Sequence, residues 1–127
     1  MSHFSKIKTM ITDRALLEAA LSQTGCTIQP DKQSIAGFRG EETPVDICVT
    51  LPKEDYEIGF LLSDGKYELT ADWWGFHTID QKAFLDKIVQ RYAYLSTLQA
   101  LEKQGFRVTG EETNQQGEIK LVLRRMV

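Results

Sequence analysis

The 127-residue sequence lacks several features that define a protein class on their own. No run approaches the roughly 18 consecutive apolar residues that a membrane-spanning helix needs, so we expect no membrane insertion. The opening MSHFSKIKTM also lacks the apolar stretch and small-residue cleavage site of a secretory signal. These absences predict a cytoplasmic protein, or one in the equivalent compartment of an organelle.

Cysteine and histidine are scarce, with two residues of each. Cys26 and Cys48 are too few for a disulfide framework and have no metal-like spacing, so we expect buried, inert thiols. His3 and His77 are far apart in the sequence, which leaves no recognisable set of three metal ligands. A His–Cys nucleophile pair needs only closeness in space, but no sequence feature favours either cysteine. We therefore predict no metal site.

Signatures of common enzyme classes are missing as well. We find no glycine loop that would cradle a phosphate, no nucleophile elbow and no zinc-protease motif, and Gly37 and Gly40 are better explained by a turn. We therefore predict no catalytic residues and no cofactor. The net charge of -3 disfavours nucleic acid, whose binding depends on Lys and Arg.

What the sequence does contain is a clear pattern of secondary structure in one domain, residues 1–127. An opening strand precedes a helix through RALLEAALSQ, which Thr12 or Asp13 can cap and Gly25 can end. CTIQ and SIAGF are short strand candidates. A long helix, QKAFLDKIVQRYAYLSTLQALEKQ, follows a capping box formed by Thr78 and Gln81. Two final strands, FRVTG and EIKLVLRR, close the chain.

Three strands in the middle of the chain form the strongest pattern. VDICVTL, YEIGFLL and YELTADW each alternate apolar and polar residues, as strands with one buried face do. Asp64-Gly65 favours a two-residue type I′ hairpin. That turn fixes a register in which every pair on one face is apolar: Leu62–Tyr67, Phe60–Leu69, Ile58–Ala71, Tyr56–Trp73, Leu51–Tyr56, Val49–Ile58, Ile47–Phe60 and Val45–Leu62. The sequence thus predicts an α+β fold, with two helices packed on one face of a mostly antiparallel sheet.

The stretch TADWWGFHTIDQ holds both tryptophans. Trp73 continues the apolar series of its strand, so we expect it in the core. Trp74 should point to the opposite side, either as an exposed anchor for a partner or packed against Phe84. Phe76 and His77 follow directly and are further candidates for a contact surface.

Two other groups of side chains are candidate sites. The hairpin register places Glu57 opposite Asp72, where two carboxylates can share a proton or a cation, or simply lie at a frayed hairpin end. The long helix carries Lys87, Arg91 and Tyr94 at steps of four and three. This stripe is either a solvated helix face or a surface that grips an acidic protein partner.

Several short motifs together resemble one known family. MSHFSKIKT, YEIGF, YELTADWWG, QRYAY and GEIKLVLRR look like the domain of unknown function 1257, which includes the hypothetical chloroplast reading frame 35 proteins of cyanobacteria and plastids. The resemblance implies a prokaryotic cytosol or a plastid stroma. It also implies an accessory role, with an AAA-type ATPase as a possible protein partner. The family has no assigned catalytic residues.

Two functions from different classes follow from these observations. The first is a non-enzymatic binding or adaptor domain, an accessory subunit of a larger assembly, whose contact surface would be formed by Trp74, Phe76, His77, Lys87, Arg91 and Tyr94. The alternative is a small-molecule- or cofactor-binding enzyme subunit. Its pocket would lie between the sheet and the long helix and use Glu57, Asp72 and His77. The oligomeric state is left open, because an unpaired sheet edge can be covered by a second copy or by a partner.

Overall fold

The computed structural model describes residues 4–126, so His3 lies outside the described residues. Those residues form nine strands, two α-helices and a 3₁₀ turn. In chain order they are β1 (Phe4–Lys8), α1 (Arg14–Gln23), β2 (Thr27–Gln29), β3 (Ser34–Ala36), β4 (Glu42–Pro44), β5 (Ile47–Thr50), β6 (Ile58–Ser63), β7 (Lys66–Asp72), the 3₁₀ turn (Trp73–Gly75), α2 (Gln81–Lys103), β8 (Phe106–Thr113) and β9 (Ile119–Arg125). Neither helix combines the length and the apolar character that a membrane span needs.

Contacts divide the chain into two compact units, Met1–Tyr92 and Ala93–Val127, with the boundary inside α2. The first unit contains a five-stranded antiparallel sheet in the order β1-β7-β6-β5-β2, together with the β3–β4 hairpin. The second contains the last part of α2 and the β8–β9 hairpin, a separate two-stranded sheet. The α+β class is confirmed, while the prediction of one domain over residues 1–127 stays a prediction.

The predicted meander is confirmed in its central register, which includes five of the eight predicted pairs. The predicted Tyr56–Trp73 and Leu51–Tyr56 pairs lie outside the strand pairing, because β5 ends at Thr50, β6 begins at Ile58 and β7 ends at Asp72. Asp64 and Gly65 have φ values of 51° and 79°, the positive angles that a type I′ turn requires. The turn therefore sets the pairing of the two strands that it joins. The observed partners across β5, β6 and β7 include Leu62–Tyr67, Phe60–Leu69, Ile58–Ala71, Val49–Ile58 and Ile47–Phe60.

One face of this sheet packs against the helices. Asp13 begins α1 by accepting the Leu16 N–H at 3.0 Å. Buried side chains of α1 and of the first turns of α2 meet the apolar side chains of β5, β6 and β7 in one cluster. Its central members are Leu17, Leu21, Ile47, Val49, Ile58, Phe60, Leu69, Phe84 and Ile88.

The opposite face of the sheet is also covered, which the sequence did not predict. Ile35 of β3, Val45 and Cys48 form a second buried cluster there. The predicted Val45–Leu62 pair is therefore wrong, because Asp46 interrupts the alternation. Its backbone N–H donates to Phe60 O at 2.9 Å, and its carboxylate accepts the N–H of Leu62 at 2.6 Å.

The start of α2 also differs from the prediction. Thr78 does not cap the helix. Asp80 does, by accepting the Ala83 N–H at 2.7 Å. The hydroxyl and backbone N–H of Thr78 both bind the Glu54 carboxylate at 2.7 Å instead. A contact from a distant loop thus outweighs the local capping box.

Val45 packs where a side chain at Gly59 would lie. A Cβ at Gly59 would be 2.2 Å from Val45 Cγ1 and 2.9 Å from its Cβ, and the branched valine cannot rotate out of the way. We expect Gly59→Ala to lower the free energy of unfolding by about 1–3 kcal/mol. Urea unfolding measures this loss.

A double-mutant cycle with Val45→Ala tests the cause of that loss. We expect the double variant to be more stable than the sum of the two single losses predicts, because the shorter side chain removes the 2.2 Å contact with Cγ1, the closest of the contacts. Strictly additive losses would mean that Val45 is not the obstacle.

Candidate functional site

Asp72, at the end of β7, connects two loops of the first unit. Its side chain is 2% exposed. Oδ2 accepts the backbone N–H of Phe38 at 2.8 Å, and Oδ1 accepts the backbone N–H of Trp74 at 3.2 Å. A buried carboxylate must be hydrogen-bonded, and bonds to an ionised acceptor are the stronger ones. One carboxylate therefore holds the backbone at both Phe38 and Trp74.

The side chains of these two residues are exposed, although their backbone is fixed. Trp74 is 71% exposed and Phe38 is 51% exposed. The half-buried Tyr56 lies beside Phe38, with 5.9 Å between the two ring centroids. A Cβ at Gly75 would be 2.3 Å from the Tyr56 ring, so that ring rests against the 3₁₀ turn. Phe38, Tyr56 and Trp74 are called the aromatic patch below.

A second carboxylate, Glu57, holds the preceding part of the same hairpin. It accepts the Ala36 N–H at 3.4 Å, the Cys48 thiol at 3.2 Å and the ammonium group of Lys32. Burial raises the pKa of Glu57, but the bonds from Lys32, Cys48 and Ala36 outweigh it, so the pKa is lowered overall. Glu57 is therefore ionised at neutral pH and anchors β3 to the sheet.

Both cysteines are buried, as predicted. Burial raises the pKa of Cys48 to about 12, with the hydrogen bond to Glu57 acting in the same direction. Burial also raises the pKa of Cys26. Because the thiolate is the reactive species, neither thiol is activated for nucleophilic attack at neutral pH.

Glu54 fixes the segment after the aromatic patch. Its carboxylate accepts the His77 N–H at 2.9 and 3.0 Å and two bonds from Thr78. Burial raises the pKa of Glu54, but these bonds, led by those from Thr78, lower it overall. The side chain of His77 is exposed.

The predicted site residues have different environments. Trp73 packs against the main core, as predicted, and lies 6.0 Å from Phe84 between ring centroids. Trp74 is exposed, whereas Phe76 is half-buried and stacks on Trp73 at 5.0 Å.

The helical stripe is likewise not uniform. Lys87 is exposed and Arg91 is half-buried. In the second unit, the hydroxyl of Tyr94 donates to Glu111 at 2.6 Å. Tyr94 therefore has an intramolecular contact that its position in the sequence did not indicate.

The alternative pocket would need Glu57, Asp72 and His77 together. The two carboxylates do lie at the predicted end of the β6–β7 hairpin, since Ile58 pairs with Ala71. The Glu57 carboxylate accepts the backbone N–H of Ala36 in β3, and the Asp72 carboxylate accepts that of Phe38, two residues further along the chain. Three cavities among the described residues have other linings, and a ligand pocket at Glu57, Asp72 and His77 stays a prediction. Within residues 4–126, no group of three acidic, histidine or cysteine side chains is placed to hold a metal ion.

Sequence reasoning missed Phe38, Glu54 and Lys32 as functional or supporting residues. Phe38 lies between Gly37 and Gly40, a segment interpreted only as a turn. An aromatic residue at the tip of a glycine-flanked turn was the available signal, since such a side chain has few neighbours to cover it.

Acid should remove the contribution of Glu57 to stability. Its folded-state pKa is lowered, so its stabilisation is present above the unfolded pKa and is lost as the pH falls through the folded pKa. We expect Glu57→Gln to be less stable than the wild type at about pH 6, with the difference shrinking towards about pH 3. Urea midpoints across this range measure it, with Glu102→Gln at an exposed position as the charge-matched control. A difference that does not change with pH would contradict this role.

Asp72→Asn tests whether the carboxylate holds both loops. An amide offers one oxygen acceptor and places an NH₂ group opposite the other N–H donor. We expect the amide hydrogen of Phe38 or Trp74 to exchange about tenfold faster, relative to Phe60 in the sheet. Exchange followed by NMR measures the rates. Equal acceleration at all three amides would instead indicate general destabilisation.

Comparisons with known proteins agree with the motifs in the sequence. A family model described as "Protein of unknown function (DUF1257)" matches residues 20–122. The chain is 37% identical to "Uncharacterized protein ycf35" of Pyropia yezoensis and 35% identical to the protein of that name in Guillardia theta, over 98% of each chain. The protein of that name in Cyanophora paradoxa is 33% identical over the same share of both chains. No solved structure matches the chain. The resemblance stated from the motifs is confirmed: the chain belongs to the DUF1257 family of proteins of unknown function.

Proposed function

We propose that this chain is a non-enzymatic protein-binding domain that acts as an accessory subunit of a larger assembly, with the aromatic patch as its contact surface. One observation carries the proposal: the exposed side chains of Phe38 and Trp74 project from backbone that the buried carboxylate of Asp72 holds in place. Exposed tryptophan and tyrosine are the side chains that most often anchor protein interfaces.

Pre-organisation separates this patch from other exposed apolar residues. Met10 and Leu62 are also exposed, at 76% and 48%, and scattered apolar side chains of this kind are ordinary on a protein surface. In the aromatic patch, by contrast, Asp72 holds the backbone of both Phe38 and Trp74, and the Tyr56 ring contacts Phe38. A fixed loop loses little conformational entropy on binding, which increases the affinity for a partner.

Of the contact residues predicted from the sequence, Trp74 belongs to the proposed surface, which also includes Phe38 and Tyr56. His77 follows on the segment held by Glu54 and extends the surface with a polar side chain. Phe76 contributes through its packing on Trp73. The stripe of Lys87, Arg91 and Tyr94 remains a separate prediction of a surface for an acidic protein partner.

The contacts give the enzyme alternative less support. The carboxylates of Glu57 and Asp72 already accept backbone N–H groups, and burial raises the pKa of both thiols. An AAA-type ATPase as the partner, and the cytoplasm or plastid stroma as the compartment, rest on the family resemblance alone. We include both in the proposal on that basis.

Quantitative capture tests the contact surface. Tagged wild-type protein, Trp74→Ala, Phe38→Ala and the control Met10→Ala are incubated with extract of the host organism, and retained proteins are quantified by mass spectrometry. We expect at least one protein to be retained by the wild type and the control and to fall about tenfold with Trp74→Ala, as for a hot-spot residue.

Thermal unfolding of each variant shows that any loss of binding is not a loss of fold. All three substitutions remove exposed side chains, so their midpoints should stay close to that of the wild type. A retained set that is identical for the wild type and both patch variants would refute the aromatic patch as the contact surface.

A further inference from the structure

The β8–β9 hairpin of the second unit places two arginines directly opposite each other. Arg107 of β8 pairs with Arg124 of β9 in the strand register, so both side chains leave the same face of the ribbon. Like charges in this position are destabilising. Further along the same ribbon, Glu112 faces Lys120, the favourable arrangement. The arginine pair is therefore a local exception within its own hairpin.

Arg125 adds a third guanidinium group at this end of the ribbon. It lies 4.6 Å from the ring centroid of Phe106, which faces it across the strands. Across residues 4–126, no carboxylate lies at salt-bridge distance from Arg107, Arg124 or Arg125. Three positive charges are thus gathered with no negative charge of the described chain to neutralise them.

The arginines line an open groove of about 660 Å³. Its other lining residues are Val108, Thr109 and Met126. The ribbon bulges between Val108 and Gly110, and bulges turn side chains away from a regular ladder. The groove lies at the end of the ribbon and is lined by residues of both faces, the arginine pair from one face and Arg125 with Val108 from the other.

The face of the ribbon that carries the arginine pair is the more exposed one. Arg107 and Arg124 are exposed. The side chains that alternate with the arginine pair along the two strands leave the opposite face and are half-buried: Phe106, Val108, Ile119 and Leu121. The side chain of Glu111, which belongs to the half-buried face by its pairing with Leu121, accepts the hydroxyl of Tyr94. The arginine pair is therefore open to a ligand.

We propose that this arginine groove binds an acidic peptide segment of a protein partner. Guanidinium groups bind carboxylates through paired N–H donors. A carboxylate between Arg107 and Arg124 would remove their mutual repulsion, while the exposed Met126 accepts a neighbouring apolar side chain.

Charge favours a peptide over nucleic acid. The strongly positive part of the ribbon is confined to one end, and Glu111, Glu112 and Glu118 occupy the other end. Nucleic acid presents a continuous line of phosphates and requires a longer track of cations. A short run of carboxylates matches the arginine pair, Arg107 and Arg124. The proposal does not depend on the aromatic patch, which belongs to the first unit.

Fluorescence anisotropy with a defined probe tests the groove. The probe is a short labelled peptide of alternating glutamate and serine, compared with the same peptide carrying glutamine and with a single-stranded oligonucleotide of similar length. The proteins are the full-length wild type, Arg107→Gln/Arg124→Gln, and Lys66→Gln/Lys120→Gln, which removes two exposed positive charges elsewhere. We expect the acidic peptide to bind the wild type and the lysine variant alike, and the arginine variant about tenfold more weakly.

Stability provides a second readout. Removing both charges of a repelling pair should leave the thermal midpoint of Arg107→Gln/Arg124→Gln equal to or above that of the wild type. Weaker binding by the arginine variant is then a local effect. The proposal is overturned if the wild type does not bind the acidic peptide, if both double variants weaken equally, or if the oligonucleotide binds more tightly than the peptide.

Discussion

Two carboxylates hold the segment from β3 to Phe38 against the second face of the central sheet, and the covering of that face depends on them. Asp72 and Glu57 lie at the same end of the β6–β7 hairpin, and they accept N–H groups two residues apart in the chain. Without these hydrogen bonds, only the small apolar cluster around Ile35 would hold the hairpin on the second face of the central sheet. An intramolecular hydrogen bond contributes about 0.5–1.5 kcal/mol, which is a noticeable share of the stability of an ordinary domain.

This arrangement explains why a sheet with one apolar and one polar face can be buried on both sides. The apolar face packs against the helices through ordinary close packing. The polar face cannot bury its carboxylates without partners, and the unpaired backbone N–H groups of the short hairpin supply them. The carboxylates and the backbone N–H groups thus satisfy each other's hydrogen-bonding capacity, because a three-residue strand has few ladder hydrogen bonds of its own.

How well the sequence predicts a feature depends on how far apart along the chain the interacting residues lie. Alternation and the Asp64-Gly65 turn act locally, and they predicted the β6–β7 register from Ile58–Ala71 to Leu62–Tyr67. The role of Asp72 was not predictable, because its partner Phe38 is 34 residues away in the chain. From the sequence, a polar residue opposite Glu57 at a strand end is typical of a solvent face. The capping box at Thr78 was wrong for the same reason, since Glu54 reaches it from 24 residues away.

Because Asp72 is buried, the residue that positions the backbone of the aromatic patch is not one of the residues that would contact a partner. Asp72 is nearly inaccessible, so a partner cannot touch it, and yet both exposed rings depend on its two hydrogen bonds. A change at Asp72 therefore alters stability and surface shape together, because an unsatisfied buried donor or acceptor carries its full desolvation cost. A change at Trp74 or Phe38 removes contact area while leaving the backbone bonds in place. Substitutions of Phe38 or Trp74 can therefore change binding without loss of the fold, whereas a substitution of Asp72 cannot.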